Sequence, residues 1–351
     1  MNIGLENIKE VLTLYNIRGQ ISGIYDFIHY YDAKSIEIKI ISKVEFTNRS
    51  PIVIKFVREN EYPSHIIESQ SVFSEYLREQ GVLTPKRYIS GGRYCLNFKL
   101  NNIDVDITVE DYIGEEIKFI DFDLAYKLGQ LMGKIHKISE NGNCLIGKNT
   151  IFDIFGYNEV SGYNTFRKLG EDGKIEPAMY LKIKGLYTEK LERVKQSWKK
   201  LSRFATQGDI SINNLSYTGE SIGIFDYNIA GDETLVGDMV LEGLLTANEM
   251  NLSDVLTDFD RTELFKHFYK GYISERPLSD DEKNVLSDIY SISSALWFTK
   301  IKYNENSLEK LVELNECDKV TKLLQEIYNA LSEDNREIFK EINTYCNKIN
   351  A

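Results

Sequence analysis

A change in hydrophobic period near residue 113 constrains this chain more than any other feature. Before that point, polar and apolar residues alternate singly, as in segments 35–46 and 104–112, which is typical of half-buried β-strands. After it, apolar residues recur every three or four positions, as in segment 121–139, which is typical of amphipathic helices. We therefore predict an α+β protein with a small sheet-rich part followed by a larger, mainly helical part.

The first part is predicted to be an antiparallel sheet with one inserted helix. Segments 35–46 and 51–57 flank a cluster of turn-forming residues and indicate a β-hairpin. Ser64 is a candidate N-cap for a helix that continues to about Gln80. Further predicted elements are a leading helix at 5–16 and strands at 88–90, 93–100 and 104–112.

The second part is predicted to be almost entirely helical. The predicted helices are 121–139, 181–204, 261–272, 280–298, 307–314, 318–331 and 333–349. We place the domain boundary at a hinge around 108–114, giving an N-terminal lobe at 1–112 and a C-terminal lobe at 113–351. In such a bilobal arrangement we expect the ligand in the crevice between the lobes.

Charge and composition exclude several classes of function. The chain has 351 residues, a net charge of -12 and a pI near 5.1, which argues against nucleic-acid binding because that requires a basic face. Its four cysteines form no CxxC pair, so we expect neither a zinc site nor a disulfide framework. No signal peptide and no apolar run of about 20 residues is present, so we expect a cytoplasmic protein without a membrane partner.

One polar constellation stands out in the second part. Asp209 precedes Asn214 by five residues, and Asp226 closes the apolar run 222–225. Phosphoryl transfer from ATP requires a carboxylate that receives a hydroxyl proton, together with an amide and a carboxylate that hold Mg²⁺. Asp and Asn also crowd into ordinary turns, so this spacing becomes informative only together with other elements of an ATP site.

Lys55 supplies such an element, because it lies on the same face of its predicted strand as Val53 and Val57. A lysine on an apolar face needs a partner, and ATP phosphates together with a glutamate on the following helix would provide one. Glu68 is the first candidate for that glutamate, and Glu75 is the second. Alternatively, Lys55 extends to water from an edge strand and Glu68 is favoured only by the helix dipole. The order of all these elements along the chain favours the ATP site.

Five segments resemble the aminoglycoside phosphotransferase family, which includes choline-kinase-like and homoserine-kinase-like enzymes. The matching segments are Val53–Lys55, Phe73–Pro85, Leu128–His136, Gln207–Asn214 and Ile224–Asp238. The resemblance implies a protein-kinase-like fold and an ATP- or GTP-dependent, Mg²⁺-dependent transfer of the γ-phosphate to a hydroxyl group of a small molecule. The resemblance does not identify that acceptor.

The resemblance also implies a role for individual residues. It makes Asp209 the catalytic residue, Asn214 and Asp226 the Mg²⁺ ligands, and Lys55 the phosphate contact. The backbone of Glu110–Tyr112 would be the hinge that binds adenine, and Asp238 would be structural. We expect His136 to be a packed, hydrogen-bonded residue. Asp232, Glu233 and Glu242 are expected to be surface charges, with contact to a cationic acceptor as the alternative.

The sequence departs from the family pattern in three places, and the first two motivate a second hypothesis. Gln207 replaces the usual histidine before Gly208, and the glutamate expected on the helix falls near Gln70. The only candidate for a glycine-rich phosphate loop is Gly19–Gly23. The alternative to an enzyme is therefore a non-catalytic nucleotide-binding or scaffold protein that retains the kinase-like fold.

Overall fold

The computed structural model describes residues 3–32, 34–59, 63–150, 153–155, 160–218, 221–249, 251–253, 256–257, 260–336 and 339. The chain forms two compact units, each built from more than one stretch of sequence. The first unit comprises Met1–Lys118, Ile138–Lys148 and Asp209–Gly231. The second comprises Phe119–Lys137, Asn149–Gly208 and Asp232–Ala351. The functional boundary near residue 112 stays a prediction.

A five-stranded antiparallel sheet forms the centre of the first unit, in the order β1-β2-β3-β5-β4. Its strands are β1 Ile21–Asp32, β2 Glu37–Phe46, β3 Ile52–Arg58, β4 Leu96–Leu100 and β5 Ile103–Asp111. The predicted hairpin of β2 and β3 is confirmed. Asn101 and Asn102 join β4 to β5 with φ angles of 48° and 66°, as a two-residue hairpin turn requires. Strand β1 was not predicted.

The two faces of this sheet differ because successive side chains in a strand alternate. Ile40, Ile54 and Ile107 belong to a buried apolar cluster that also contains Ile8 and Val11 of helix α1, Leu5–Leu14. Each such side chain stabilises the fold by about 1.5–3 kcal/mol when fully buried. The alternation places Lys39 of β2, Lys55 of β3 and Glu110 of β5 on the opposite face.

Helix α2, Ser64–Glu79, confirms the helix predicted in the first part but not its predicted cap. Pro63 occupies the N-cap position, and the hydroxyl of Ser64 instead donates to Asp106 at 2.8 Å. The helix ends as predicted at Gly81, which has a φ of 80°. The amides of Gly81 and Val82 donate to the carbonyls of Arg78 and Leu77, an arrangement that satisfies the last turn and favours glycine.

The first unit also contains the segment with the polar constellation. A short 3₁₀ turn at Ile212–Asn214 leads into β7, Leu215–Thr218, which pairs with β8, Ser221–Ile224. Asp209 lies before this turn and Asp226 lies just after β8. The short hairpin therefore brings the two ends of the constellation together.

The second unit is mainly helical, as predicted. Its elements include α3 Phe122–Gly142 (up to Lys137), α4 Tyr163–Glu171, α5 Pro177–Trp198, α6 Leu235–Ala247, α7 Arg261–Glu275, α8 Asp280–Ala295, α9 Phe298–Ile301, α10 Leu308–Glu313 and α11 Cys317–Ser332. Two short strands, β6 Arg203–Thr206 and β9 Gly231–Thr234, pair with each other. The predicted helix 181–204 is thus too long at its C-terminal end. The predicted helix 333–349 falls mostly outside the described residues.

Glycines allow helices α3 and α7 to approach each other closely. A Cβ atom on Gly129 would lie 1.9 Å from the carbonyl oxygen of Phe268, and one on Gly271 would lie 1.9 Å from that of Tyr126. These distances are far below van der Waals contact, so only glycine fits at either position. The glycine of the Leu128–His136 motif therefore serves helix packing.

His136 lies in the core of the second unit and is fully buried, as we expected. Its Nε2 lies 3.0 Å from a carboxylate oxygen of Asp238, and its Nδ1 lies 2.9 Å from the hydroxyl of Tyr272. Asp238 also accepts a hydrogen bond from Thr206 at 3.1 Å. A neutral His136 that donates through Nε2 and accepts at Nδ1 satisfies every partner. The contacts of His136 and Asp238 therefore hold the core of the second unit together.

Two expectations about charge and membranes can be compared with the fold. Glu233 and Glu242 are buried rather than at the surface, so that prediction is wrong. Glu233 lies 3.1 Å from Arg203, and burial raises its pKa to about 8 against the opposing effect of that cation. Among the helices of the described residues, none is both long and apolar enough to cross a membrane.

Candidate functional site

The predicted catalytic loop is held in shape by its own side chains. A carboxylate oxygen of Asp209 accepts hydrogen bonds from the backbone N–H of Ser211, at 3.2 Å, and from the Ser211 hydroxyl. The side-chain amide of Asn214 donates to the carbonyl of Asp209 at 3.1 Å. Burial raises the pKa of Asp209, although the bonds from Ser211 oppose that rise. The loop thus presents one fixed, partly buried carboxylate.

The metal segment is joined to this loop by the main chain. The amide of Phe225 donates to the carbonyl of Asn214 at 2.9 Å, so Asn214 and Asp226 lie close together. Asp226 has a φ of 57°, in the left-handed region that non-glycine residues seldom adopt. Asp and Asn tolerate this conformation better than most residues, and such strained positions cluster at functional sites.

Lys55 lies at the centre of a largely buried charge network. Its ammonium is 2.9 Å from a carboxylate oxygen of Asp226 and 3.1 Å from one of Glu110. Burial alone would lower the pKa of Lys55, but the charges of Asp226 and Glu110 outweigh it and raise the pKa. Burial would likewise raise the pKa of Asp226, yet Lys55 and Lys39 hold it below its ordinary value. Both groups are therefore charged.

Glu68, the first candidate for the Lys55 partner, makes different contacts. Its carboxylate accepts hydrogen bonds from the backbone amides of Tyr94, at 3.0 Å, and Cys95, at 2.7 Å. The second candidate, Glu75, binds Arg78 at 2.6 Å and the backbone amide of Arg87 at 3.1 Å. Both candidate carboxylates on α2 thus bind nearby backbone and side-chain groups, and the prediction of a helix glutamate beside Lys55 is corrected.

Gln70, where the sequence resemblance expected a glutamate, contacts the segment after Asp226. Its side-chain amide donates to the carbonyl of Asn228 at 2.7 Å and to that of Ala230 at 3.0 Å. Gln70 is 3% exposed, so these bonds are shielded from water. Helix α2 therefore binds the metal segment through the side-chain amide of Gln70, and it does not contact Lys55 through a carboxylate.

Sequence reasoning missed the role of two side chains, those of Arg87 and Glu110. The guanidinium of Arg87 lies 3.0 Å from the second carboxylate oxygen of Glu110, and both side chains are almost fully buried. Glu110 had been assigned only a backbone role. One signal was available, because Glu110 opposes Val53 in the β3–β5 ladder and must therefore share a face with Lys55.

A cavity of about 360 Å³ opens beside this network within the first unit. Its lining includes Lys55, Glu110, Tyr112, Asn214 and Asp226. Both predicted metal ligands and the predicted phosphate contact therefore share one cavity, which is large enough for a small-molecule ligand.

Two aromatic rings border the cavity. The centroids of Phe27 and Tyr112 are 6.2 Å apart. Phe27 falls at a register shift between Asp26 and Ile28, where a bulge redirects a side chain. The N–H of Tyr112 already donates to the carbonyl of Pro51 at 3.1 Å, so it is not the adenine donor that the predicted hinge requires. Tyr112 therefore contributes its ring, and not its backbone N–H, to the cavity.

The glycine candidate for a phosphate loop does not lie at a turn. Gly19 precedes β1 and Gly23 lies inside it, whereas the turn between β1 and β2 falls between Asp32 and Glu37. A Cβ on Gly19 would lie 2.5 Å from the ring of Phe46, so this glycine serves packing. The described residues before β2 thus provide no glycine turn above Lys55.

The side chains present fit a divalent cation that is shared with a nucleotide. No group of three His, Cys, Asp or Glu side chains in the described part of the chain could hold a metal alone. Mg²⁺ usually takes only one or two protein carboxylate or amide oxygens and completes its shell with phosphate and water. Asp226 offers a carboxylate to such a cation. The side-chain nitrogen of Asn214 donates to the carbonyl of Asp209, so the side-chain oxygen of Asn214 is the atom that could bind the cation.

Solved structures share this fold over nearly the whole chain. The microcompartment-associated aminopropanol kinase matches with a TM-score of 0.58 and 13% identity, covering 96% of this chain and 98% of that one. Amicoumacin kinase hAmiN, in complex with AMP-PNP, Ca²⁺ and Ami, matches with a TM-score of 0.56 and 14% identity, covering 93% and 94%. Spectinomycin phosphotransferase APH(9)-Ia, in complex with ADP and spectinomycin, matches with a TM-score of 0.53 and 14% identity, covering 94% and 99%.

Sequence comparison finds less than structure comparison. No family model matches the chain, and no curated protein matches it. At the low identities of the structural matches, the likeness establishes the fold alone. The resemblance noted from the motifs is confirmed at that level: the chain has the α+β, protein-kinase-like fold of aminoglycoside phosphotransferases and related small-molecule kinases.

Proposed function

We propose that this protein is a Mg²⁺-dependent enzyme that transfers the γ-phosphate of ATP, or alternatively of GTP, to a hydroxyl group of a small molecule. One observation carries the proposal. Lys55, Asn214 and Asp226 line a single cavity, and Asn214 is hydrogen-bonded to the loop that holds Asp209. Phosphoryl transfer needs these groups together, and the fold is one that supports such chemistry in other proteins.

Asp209 would orient the acceptor hydroxyl and receive its proton. The two bonds from Ser211 fix the carboxylate, so little conformational freedom is lost when the acceptor binds. Because the phosphoryl transition state is loose, positioning contributes more than strong base catalysis. A fixed carboxylate of this kind meets that requirement.

Asn214 and Asp226 would hold the Mg²⁺ that accompanies the nucleotide. When bound, the cation would neutralise charge on the phosphate oxygens as the bond to the leaving group breaks. The depressed pKa of Asp226 keeps its carboxylate ionised, as a metal ligand must be. The main-chain bond from Phe225 to Asn214 keeps the two ligands in register.

Lys55 would bind the phosphates, and Lys39 is proposed to assist it. Lys39 lies on the same face of the sheet and borders a small cavity together with Lys55 and Asp226. Two cations from neighbouring strands would supply part of the charge that a glycine-rich loop supplies through backbone amides. The base would lie beside the rings of Phe27 and Tyr112, because stacking on aromatic rings tolerates either purine.

The acceptor is proposed to be a small molecule with a hydroxyl group, and an amine is the first additional group to test. The structural matches include an aminopropanol kinase and kinases of antibiotics. Among the acidic residues that first suggested a cationic acceptor, Glu233 and Glu242 are buried, and Glu233 is paired with Arg203. We further propose that the protein acts in the cytoplasm, with residues 1–112 as its nucleotide-binding lobe.

The test is turnover on a panel of amino alcohols, aminoglycosides and sugars with Mg·ATP and Mg·GTP. We expect ADP or GDP formation that depends on one acceptor class, with a loss of about 10²–10⁴-fold in Asp209→Asn. Nucleotide binding should survive in that variant. Nucleotide binding by the wild-type protein without turnover on any acceptor, and without hydrolysis, would instead establish the scaffold hypothesis that Gln207 motivates.

A further inference from the structure

The partner of Lys55 comes from an unexpected element. In the described chain, the carboxylates within 4.0 Å of the Lys55 ammonium belong to Asp226 and Glu110, and neither lies on helix α2. Glu110 and Lys55 lie on adjacent strands of one sheet, where Val53 opposes Glu110 and Thr108 opposes Lys55. The geometry of this pair is therefore set by the β3–β5 ladder.

Glu110 is itself held by a second cation. One oxygen of its carboxylate meets Lys55 at 3.1 Å, and the other meets Arg87 at 3.0 Å. The Arg87 side chain also donates to the hydroxyl of Ser71 on α2 at 3.3 Å. Each carboxylate oxygen of Glu110 thus faces a different cation at ion-pair distance, so Arg87 restrains the direction in which Glu110 faces Lys55.

The charges of this network balance when all four members are present. Lys55 and Arg87 carry two positive charges, and Glu110 and Asp226 carry two negative charges. A divalent cation at Asp226 would compete with Lys55 for that carboxylate. Glu110 would then be the anion that holds the Lys55 ammonium in place.

The two candidate carboxylates of α2 bind other groups. Glu68 binds the amides of Tyr94 and Cys95, and Glu75 binds Arg78 and the amide of Arg87. Releasing Glu68 toward Lys55 would leave two backbone N–H groups without their acceptor, which is costly for buried groups. The helix instead contributes Gln70, whose amide holds the carbonyls of Asn228 and Ala230.

We propose that Glu110, oriented by Arg87, is the positioning residue for Lys55 in the nucleotide site, in place of a glutamate on helix α2. The inference rests on the proposed function, since it assigns the support of the phosphate-binding lysine. In this inference, the carboxylate that positions Lys55 comes from strand β5 of the sheet and not from helix α2.

The test compares Glu110→Gln with Glu68→Gln, a matched loss of one carboxylate on α2. Both variants are assayed for Mg·ATP affinity by calorimetry and for KM and kcat, with circular dichroism as the check of folding. We expect Glu110→Gln to weaken Mg·ATP binding and to raise the KM for ATP by about tenfold or more, the equivalent of one lost charge-assisted bond. Glu68→Gln should bind Mg·ATP as the wild type does, while melting at a lower temperature.

Two further variants separate positioning from folding. Arg87→Gln should weaken Mg·ATP binding in the same direction as Glu110→Gln, and Glu110→Asp should restore part of the affinity. The double variant Glu110→Gln/Arg87→Gln removes one charge of each sign, so it keeps the network neutral and tests binding if the single variant fails to fold. Its affinity should equal that of Glu110→Gln, because Arg87 acts through Glu110.

The outcomes distinguish this inference from the proposed function. Wild-type protein that binds no Mg·ATP or Mg·GTP refutes the proposed function itself. If the wild type binds, the inference is overturned when Glu110→Gln, or the double variant in its place, retains full affinity. It is equally overturned when Glu68→Gln loses affinity to the same extent.

Discussion

The ammonium of Lys55 lies 2.9 Å from a carboxylate oxygen of Asp226, although 171 residues separate them in the chain. This pair joins strand β3 to the segment that follows β8, and it places the predicted phosphate contact beside a predicted metal ligand. An ion pair between buried groups of such separation costs chain entropy and desolvation free energy to form. An Mg²⁺–nucleotide site needs a cation for the phosphates next to a carboxylate for the metal, and this ion pair provides both groups.

Asp226→Asn should abolish the Mg²⁺-dependent part of nucleotide binding while leaving the fold intact. Asparagine tolerates the left-handed φ of 57° at this position, so the backbone should stay as it is. We expect the rise in melting temperature caused by Mg·ATP to disappear and turnover to fall by about 10²-fold or more. Differential scanning fluorimetry with and without Mg²⁺ measures the first effect. Asp104→Asn, at an exposed ion pair, should behave as wild type.

Lys55→Met should cost both stability and nucleotide affinity. The substitution leaves the carboxylates of Asp226 and Glu110 buried without their shared cation. Breaking a buried pair by removing one partner destabilises a protein by about 3–5 kcal/mol. Urea denaturation measures that loss. Lys99→Met is the control, because Lys99 is exposed and its pair with Asp104 contributes little. Equal stability of the two variants would contradict the network described here.

Gly129→Ala should destabilise the helical unit, whereas Gly185→Ala should not. A Cβ at Gly129 would collide with the backbone of Phe268, and nothing lies within 4 Å of one at Gly185. Overpacking of this kind costs about 1–3 kcal/mol or more. Gly185 lies inside helix α5, so alanine there should stabilise the protein by about 0.5–1 kcal/mol. The free energies of unfolding from denaturant titrations should therefore move in opposite directions.

The buried His136 predicts a loss of stability in acid. Burial lowers the pKa of His136 below its ordinary 6.5, although Asp238 acts in the opposite direction. The unfolded chain therefore binds a proton near pH 6.5 that the folded chain binds only at lower pH. Below that pH, this residue should reduce the free energy of unfolding by at most about 1.4 kcal/mol per pH unit.

His136→Gln checks this pH dependence. The variant should be less stable at neutral pH, because it loses the contacts to Asp238 and Tyr272, but its stability should change less between pH 7 and 5. His65→Gln, at an exposed position, should keep the slope of the wild type. A slope in His136→Gln as steep as in the wild type would show that other groups cause the acid sensitivity.

Much of the fold could be predicted because period and turn chemistry are local. The strands β2 and β3, helix α2 and helix α11 follow directly from the spacing of apolar residues. Strand β1 could not be predicted because Ile21–Asp32 is an edge strand with mostly exposed residues, and its polar and apolar residues do not alternate regularly. Helix α5 was extended too far because β6, only four residues long, is too short for a periodic signal.

The candidate site divides in the same way. Asp209, Asn214 and Asp226 could be identified because they form short motifs whose spacing is fixed by one loop and one hairpin. The partner of Lys55 could not, because the choice between Glu68, Glu75 and Glu110 depends on which other groups each carboxylate meets in three dimensions. The carboxylate of Glu68 accepts hydrogen bonds from the backbone amides of Tyr94 and Cys95, and no local pattern in the sequence predicts these bonds.

Calorimetric titration with Mg·ATP is the most direct measurement of the central claim that Lys55, Asn214 and Asp226 form an Mg²⁺–nucleotide site. It should be run on the wild type, Asp226→Asn and Lys55→Met, in Mg²⁺ and in excess EDTA. We expect wild-type binding that requires Mg²⁺, no Mg²⁺-dependent binding in Asp226→Asn, and weak binding in Lys55→Met. Absence of binding of both Mg·ATP and Mg·GTP by the folded wild type at millimolar nucleotide would contradict the claim.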